Sequence, residues 1–229
     1  MNITNKKAVF FDLDHTLWDF EKNSALAFST LFEKHGFDFD HGLFIERYVP
    51  INNRYWKLYR DGEITQEELR YGRLREGFDE VGFEVDDVLI PILAEEYVKL
   101  LPEYNHLYEG AIEILEYLKP KYSLHIITNG FHQVQEGKLK NSNIEHYFET
   151  VTNSELAGCK KPHAGIFEYA LKIANVDKQD CIMIGDCIEA DVQGAISFGL
   201  DAIYFNEFRK EADPSVKQVH HLLELKNLL

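Results

Sequence analysis

Two carboxylates one residue apart, Asp12 and Asp14, close the apolar run Ala8–Phe11, and Thr16 comes two residues later. A buried strand that ends in paired acids is costly. At about 4 Å and an effective dielectric near 20 the two charges repel by about 4 kcal/mol, so a cation belongs between or beside them. Alone, the spacing also fits a strand leading into a turn with solvated acids. Residues further along the chain weigh against that plainer reading.

Further short apolar runs lie at 124–128, 181–186 and 202–205, each near a glycine or an acid. In an open parallel sheet, ligands gather beyond the carboxyl ends of the strands, which singles out Asp12, Thr128 with Asn129, and Asp186. Thr128 and Asn129 run through Gly130 into an expected helix. A hydroxyl, an amide and outward N–H groups at such a junction suit a phosphate, although TNG by itself also makes an ordinary turn. Asp191 comes five residues after Asp186, in the first turns of the next expected helix, where a negative charge gains some dipole support. Lys160 and Lys161 precede Pro162 and an amphipathic segment. Such a pair is ordinarily solvated, but the charge balance argues otherwise. Four aspartates with a phosphate dianion stand at about −6, and a divalent cation, one lysine and one protonated acid bring that to about −2. The acid cluster therefore asks for both a divalent cation and a lysine.

The elements that must position these groups can be read from periodicity. From residue 110 onward, helices expected over 111–118, 133–141, 164–173 and 189–198 alternate with strands, the pattern of a parallel sheet covered on both faces. After the first strand, more than about a hundred residues pass before the next, far beyond a crossover of about a dozen, so an insert is expected. Residues 18–104 read as helical throughout. Ala25, Phe28, Leu31 and Phe32 make one apolar stripe, and Phe44, Tyr48, Ile51, Tyr55 and Leu58 a second that Pro50 should kink. Thr65 with Glu68 is a capping box opening a third helix, and Leu89, Leu93, Tyr97 and Leu100 line a fourth. The expected architecture is α/β: a Rossmann-like parallel-sheet core from residues 1–17 and 105–229, with an inserted helical-bundle cap from 18–104.

Composition sets outer bounds. The 229 residues carry 39 acidic against 24 basic side chains, a formal charge of −15, which argues against nucleic-acid polymers and acidic membrane surfaces but leaves room for a small anion with local counter-charge. No segment approaches a membrane span of about 18 apolar residues, and the N-terminus lacks the apolar stretch of a signal peptide. Cys159, Cys181 and Cys187 form no paired spacing, so neither a disulfide framework nor a zinc site is expected. These features suit a cytoplasmic, soluble chain; a monomer or weak homodimer is expected, although composition does not decide it.

In order, D-x-D-x-T at 12–16, T-N-G at 128–130, K-P at 161–162 and G-D-x-x-x-x-D at 185–191 resemble the four motifs of the haloacid dehalogenase superfamily of phosphatases. The insert occupies the position of that family's helical C1 cap. WDFEKNSALA after the first motif and INNRYWKLYRDGEITQEELRYGR in the insert resemble the branch of pyrimidine 5′-nucleotidases. The resemblance implies Mg²⁺-dependent hydrolysis of phosphomonoesters through an aspartyl-phosphate. Asp12 would be the nucleophile and Asp14 the general acid, then base. The metal would be held by the carboxylates of Asp12 and Asp186 and the backbone carbonyl of Asp14. Lys161 would neutralise charge on Asp12 and the transferring group, with Lys160 its solvated neighbour. Thr128 and the backbone of Asn129, ahead of Gly130, would hold the phosphoryl oxygens, Thr16 would pin the first loop, and Asp191 would orient the lysine or the metal's water.

The expected substrate is a small phosphorylated metabolite, first a nucleoside 5′-monophosphate. A sugar phosphate or phosphoglycolate comes second, and phosphomutase or haloacid dehalogenase activity further behind, since carbon–halogen cleavage needs no Asp14. Trp18, Tyr55 and Arg73 are the expected substrate contacts, against the plainer readings of Tyr55 as bundle core and Arg73 as a solvated helix charge.

Overall fold

A strand with no polar face must be covered on both sides, and β1 (Ala8–Phe11) is buried at every residue. It lies inside a six-stranded parallel sheet with β2 (Ser123–Thr128), β3 (Thr150–Asn153), β4 (Cys181–Gly185), β5 (Asp201–Phe205) and β6 (Gln218–Val219), in the order β3-β2-β1-β4-β5-β6. Phe11 stands opposite Ile126 of β2 and Ile184 of β4. Asp12, Thr128 and Asp186 therefore leave the sheet at the same edge. Strands β3 and β6 were not among those expected from the sequence. The first, TVTN, is a four-residue edge strand too polar to read as an apolar run, and the second has only two residues.

The chain forms two units, Met1–Phe20 with Asn105–Leu229, and Glu21–Tyr104; the computed structural model describes residues 6–229. Residues 18–20 stay with the first unit because Trp18 bridges through its backbone to Asp14 and Leu107 and donates its indole N–H to Ser142 Oγ at 3.2 Å. The second unit holds most of α1 (Phe20–His35), with α2 (His41–Asp61), α3 (Gln66–Glu80) and α4 (Ile90–Leu100). Helix α2 starts on the carboxylate of Asp40, runs unbroken through Pro50 and ends at Gly62, whose φ of 79° suits glycine. Thr65 and Glu68 close the capping box of α3. Phe28, Phe32, Phe44, Tyr48, Phe78 and Tyr97 fill the interior, and Phe28 stacks on Tyr97 with centroids 4.2 Å apart. Ala25, Tyr55, Leu58, Leu89 and Leu100 reach only half burial.

Helices α5 (Ala111–Leu118), α6 (His132–Asn141), the single turn α7 (Ser154–Ala157) and α8 (Ala164–Ala174) belong to the first unit. The stretch expected as one helix over 189–198 is divided. It opens as a widened π segment, Ile188–Gln193, and tightens into α9 (Gly194–Phe198). Such widened turns commonly mark functional sites, and this one carries Asp191. Among the described residues, no helix is long and apolar enough to cross a membrane.

Candidate active site at the strand ends

The Lys161 ammonium is the centre of the cluster. It lies 2.5 Å from Asp12 Oδ1, 2.6 Å from the carbonyl of Ile127 and 2.7 Å from Asp191 Oδ1, with 2% of its side chain exposed. Two of its N–H donors are hydrogen-bonded to Asp12 and the Ile127 carbonyl, and Asp191 Oδ1, which accepts no hydrogen bond of good geometry among the described residues, faces it as a second counter-charge. Burial alone would lower its pKa, but the two carboxylates push it up instead. The backbone of Lys161 is held by Asn129, whose amide accepts from Lys161 N at 2.7 Å and donates to Lys161 O at 3.0 Å. Its neighbour Lys160 is half-buried.

Asp191 is 1% exposed and also accepts from the backbone of Cys187 at 3.0 Å through Oδ2. Its carboxylate lies so close to Gly185 that a Cβ there would stand 2.3 Å from Oδ2. Asp12, Asp186 and Asp191 bring one oxygen each within 4.8 Å of one another. Burial raises Asp12 well above the usual carboxylate range, with Asp191 and Asp186 adding to the effect and Lys161 opposing it. Asp186, partly open to solvent but enclosed by its acidic neighbours, is pushed up to about 8, first by burial and then by Asp191. Thr16 is fully buried, and its hydroxyl reaches Asp186 Oδ1 at 3.4 Å, tying the first loop to the end of β4.

Thr128, 1% exposed, accepts from Gly130 N at 3.1 Å and from Gln135 Nε2 at 2.6 Å. With both acceptor positions filled, its own O–H is left as a donor. The N–H groups expected to point outward are in part spent inward: Gly130 N on Thr128, and His132 N on Glu155 Oε2 at 2.7 Å. These two N–H groups are thereby taken out of the set expected to meet a phosphate.

Two residues that sequence reasoning did not single out close on Asp14. Lys138 Nζ lies 2.5 Å from Asp14 Oδ1, and Gln135 Nε2 donates to Asp14 Oδ2 at 2.8 Å. Asp14 therefore has a cation and an amide directly against its carboxylate. The charge balance changes accordingly. With two lysines, a divalent cation and one protonated acid, four aspartates and a phosphate dianion come to about −1.

Two of the three expected substrate contacts are buried among protein partners. Trp18 is fully buried, with its indole N–H spent on Ser142, and offers no face for a base to stack on. Arg73 is 2% exposed inside the helical unit, donating to Asn52 Oδ1 at 2.8 Å and lying 5.4 Å over the Tyr97 ring. The sequence shows the residue types at these two positions but not the partners that bury them. Tyr55 is half-buried, its ring against Gly72 and beside Arg54.

The donor set at the strand ends is all oxygen and strongly anionic, which fits a hard divalent cation such as Mg²⁺ and not a thiol- or imidazole-seeking metal. Residues 6–199 match the family model for haloacid dehalogenase-like hydrolases. The pyrimidine 5′-nucleotidase PynA of Streptococcus pneumoniae is 32% identical over 225 residues, covering 97% of this chain and 93% of its own. The pyrimidine 5′-nucleotidase YjjG of Escherichia coli is 30% identical over 225 residues, 96% of each chain. Among solved structures, the HAD-hydrolase YfnB from Bacillus subtilis bound to magnesium aligns over 99% of both chains with a TM-score of 0.88 at 28% identity.

Proposed function

We propose, from the premise that this chain belongs to the haloacid dehalogenase-like hydrolase family, that it is a cytoplasmic Mg²⁺-dependent phosphomonoester hydrolase working through an aspartyl-phosphate on Asp12. One observation carries the reading: three carboxylates within 4.8 Å of one another stand at the strand ends beside a fully neutralised, buried lysine. Mg²⁺ held by the carboxylates of Asp12 and Asp186 and the backbone carbonyl of Asp14 would supply positive charge to the phosphoryl oxygens.

The chain's own residues do the rest. Asp12 attacks phosphorus in line, and Lys161 holds its other interactions fixed while balancing its charge. The bond to the leaving oxygen breaks, and Asp14 gives that oxygen a proton. Asp14 then takes a proton from the water that hydrolyses the aspartyl-phosphate, restoring both acids. Thr128 donates to a phosphoryl oxygen. Asp191 holds Lys161 in place. Uncatalysed phosphomonoester hydrolysis is so slow that enzymes reach accelerations of order 10²¹, and such fixed charges are the main means available.

The substrate we assign is a pyrimidine nucleoside 5′-monophosphate, supported by the likeness to PynA and YjjG over nearly the whole chain. Phosphate release from pyrimidine and purine 5′-monophosphates, sugar phosphates and phosphoglycolate, with and without Mg²⁺, tests this. Pyrimidine monophosphates should lead, and chelation should abolish turnover. Far faster turnover of sugar phosphates would refute the nucleotidase assignment. Isomerisation of a sugar phosphate without phosphate release would make the protein a mutase.

A further inference from the structure

Helix α6 presents polar side chains where a helix beside a sheet usually presents apolar ones. Gln135 and Lys138, three residues apart and so on one face, are 1% and 2% exposed, and Ser142 stands just beyond the helix end. Gln135 directs both N–H donors at one place, Asp14 Oδ2 and Thr128 Oγ1. Its own buried Oε1 has no hydrogen-bond partner among the described residues, a state that costs about 1–3 kcal/mol. A side chain added at Gly130 would stand 2.1 Å from Gln135 Nε2, so the glycine leaves room for this approach. Lys138 places its ammonium on Asp14 Oδ1, with the rings of Trp18 and Phe20 at 4.4 and 5.2 Å behind it. Ser142 anchors Trp18 in turn.

We propose that Gln135 and Lys138 are positioning residues for the proton-transfer step, one on each oxygen of Asp14, holding that carboxyl in a single orientation. The terminal torsion of an aspartate is broad, so without such grips the carboxyl would sweep through many orientations. An ionised carboxylate offers about four acceptor sites. The two grips leave the others to exchange a proton. In the step they serve, an oxygen of Asp12 bonds to phosphorus as the bond to the leaving oxygen breaks. The electron pair stays on the leaving oxygen, which takes the proton carried by Asp14. Trp18 backs Lys138 in this arrangement and does not face the substrate.

The inference rests on the phosphatase reading, and the test separates the two. For the intact Mg²⁺-loaded enzyme, kcat/KM is measured on a nucleoside monophosphate, whose alkoxide leaves only with a proton, and on para-nitrophenyl phosphate, whose phenolate leaves without one. If the parent protein hydrolyses neither, the phosphatase reading itself fails. If it hydrolyses both, Lys138→Met should lose about 10²-fold on the nucleotide and less than about tenfold on the aryl ester. Asp14→Asn should show the same bias, and adding Lys138→Met to it should cost little more. Gln135→Leu keeps the ion pair and should show the bias in weaker form. It also carries the comparison should Lys138→Met not fold. Equal losses on the two esters, or a full additional loss in the Asp14→Asn background, would overturn the inference.

Discussion

Replacing Lys161 with methionine should cost the metal-free protein about 3–5 kcal/mol of stability near neutral pH. The lysine is the counter-charge shared by Asp12 and Asp191, 7% and 1% exposed, and it also donates to the Ile127 carbonyl, so its loss leaves all three without that partner. The two acids keep oxygens within 4.8 Å of each other. At that separation and an effective dielectric near 20 their repulsion is about 3.5 kcal/mol, in line with the roughly 3–5 kcal/mol typical of a broken buried pair. The sign with pH comes from Asp12, whose folded-state pKa stands above its unfolded value because it is buried. Without Lys161 that elevation grows. The folded variant then binds a proton that the unfolded chain releases, and its stability is recovered on acidification and lost as pH rises. Urea unfolding of parent and variant, at about pH 5 and about pH 8, should show a deficit that is larger at the higher pH. A deficit below about 1 kcal/mol, or one with no pH dependence, would refute the reasoning.

Three further outcomes rest on particular contacts. Burial holds His125 down to about 4, below its ordinary 6.5, between Thr150 Oγ1 and Ser123 Oγ. The unfolded chain therefore binds more protons between those values, and stability should fall by about 2 kcal/mol from about pH 7 to about pH 5; a His125→Gln protein with the same slope in urea unfolding would contradict this. Gly185→Ala should displace Asp191, whose Oδ2 would lie 2.3 Å from the new Cβ, lowering turnover at least about tenfold and stability by about 1–3 kcal/mol; normal kinetics would show that Asp191 is free to move. Thr65→Ala removes the hydroxyl arm of the α3 capping box and should cost about 1 kcal/mol, while Thr65→Ser should restore most of it in the same unfolding assay.

Asp12, Thr128 and Asp186 can be read from the chain because an acid or hydroxyl directly after an apolar run has few places to go except the end of a covered strand. Lys161 is legible for a different reason, since so many acids at one edge demand a counter-charge. Lys138 answers the same demand but is disguised. In HQVQEGKLKN it looks like its exposed neighbour Lys140, and its partner lies 124 residues away in sequence. Only the packing of α6 against the loop after β1 distinguishes the two lysines. The surroundings of Trp18 are hidden in the same way, because its place beside the first motif suggests exposure while its indole N–H has a buried partner at the end of α6. The capping box of α3 was legible because it is local, satisfied within four residues. Edge strand β3 was not, because its pairing with β2 supplies what its polar residues lack in pattern.

The central claim is that phosphate passes through a covalent ester on Asp12. Acid quenching of the Mg²⁺-loaded enzyme within its first turnovers, with peptide mass mapping of the quenched protein, tests it directly. The account predicts one added phosphoryl group on the peptide containing Asp12, absent in an Asp12→Asn protein that no longer releases phosphate. Sustained turnover with no modified peptide at any quench time, or undiminished hydrolysis by Asp12→Asn, would contradict it.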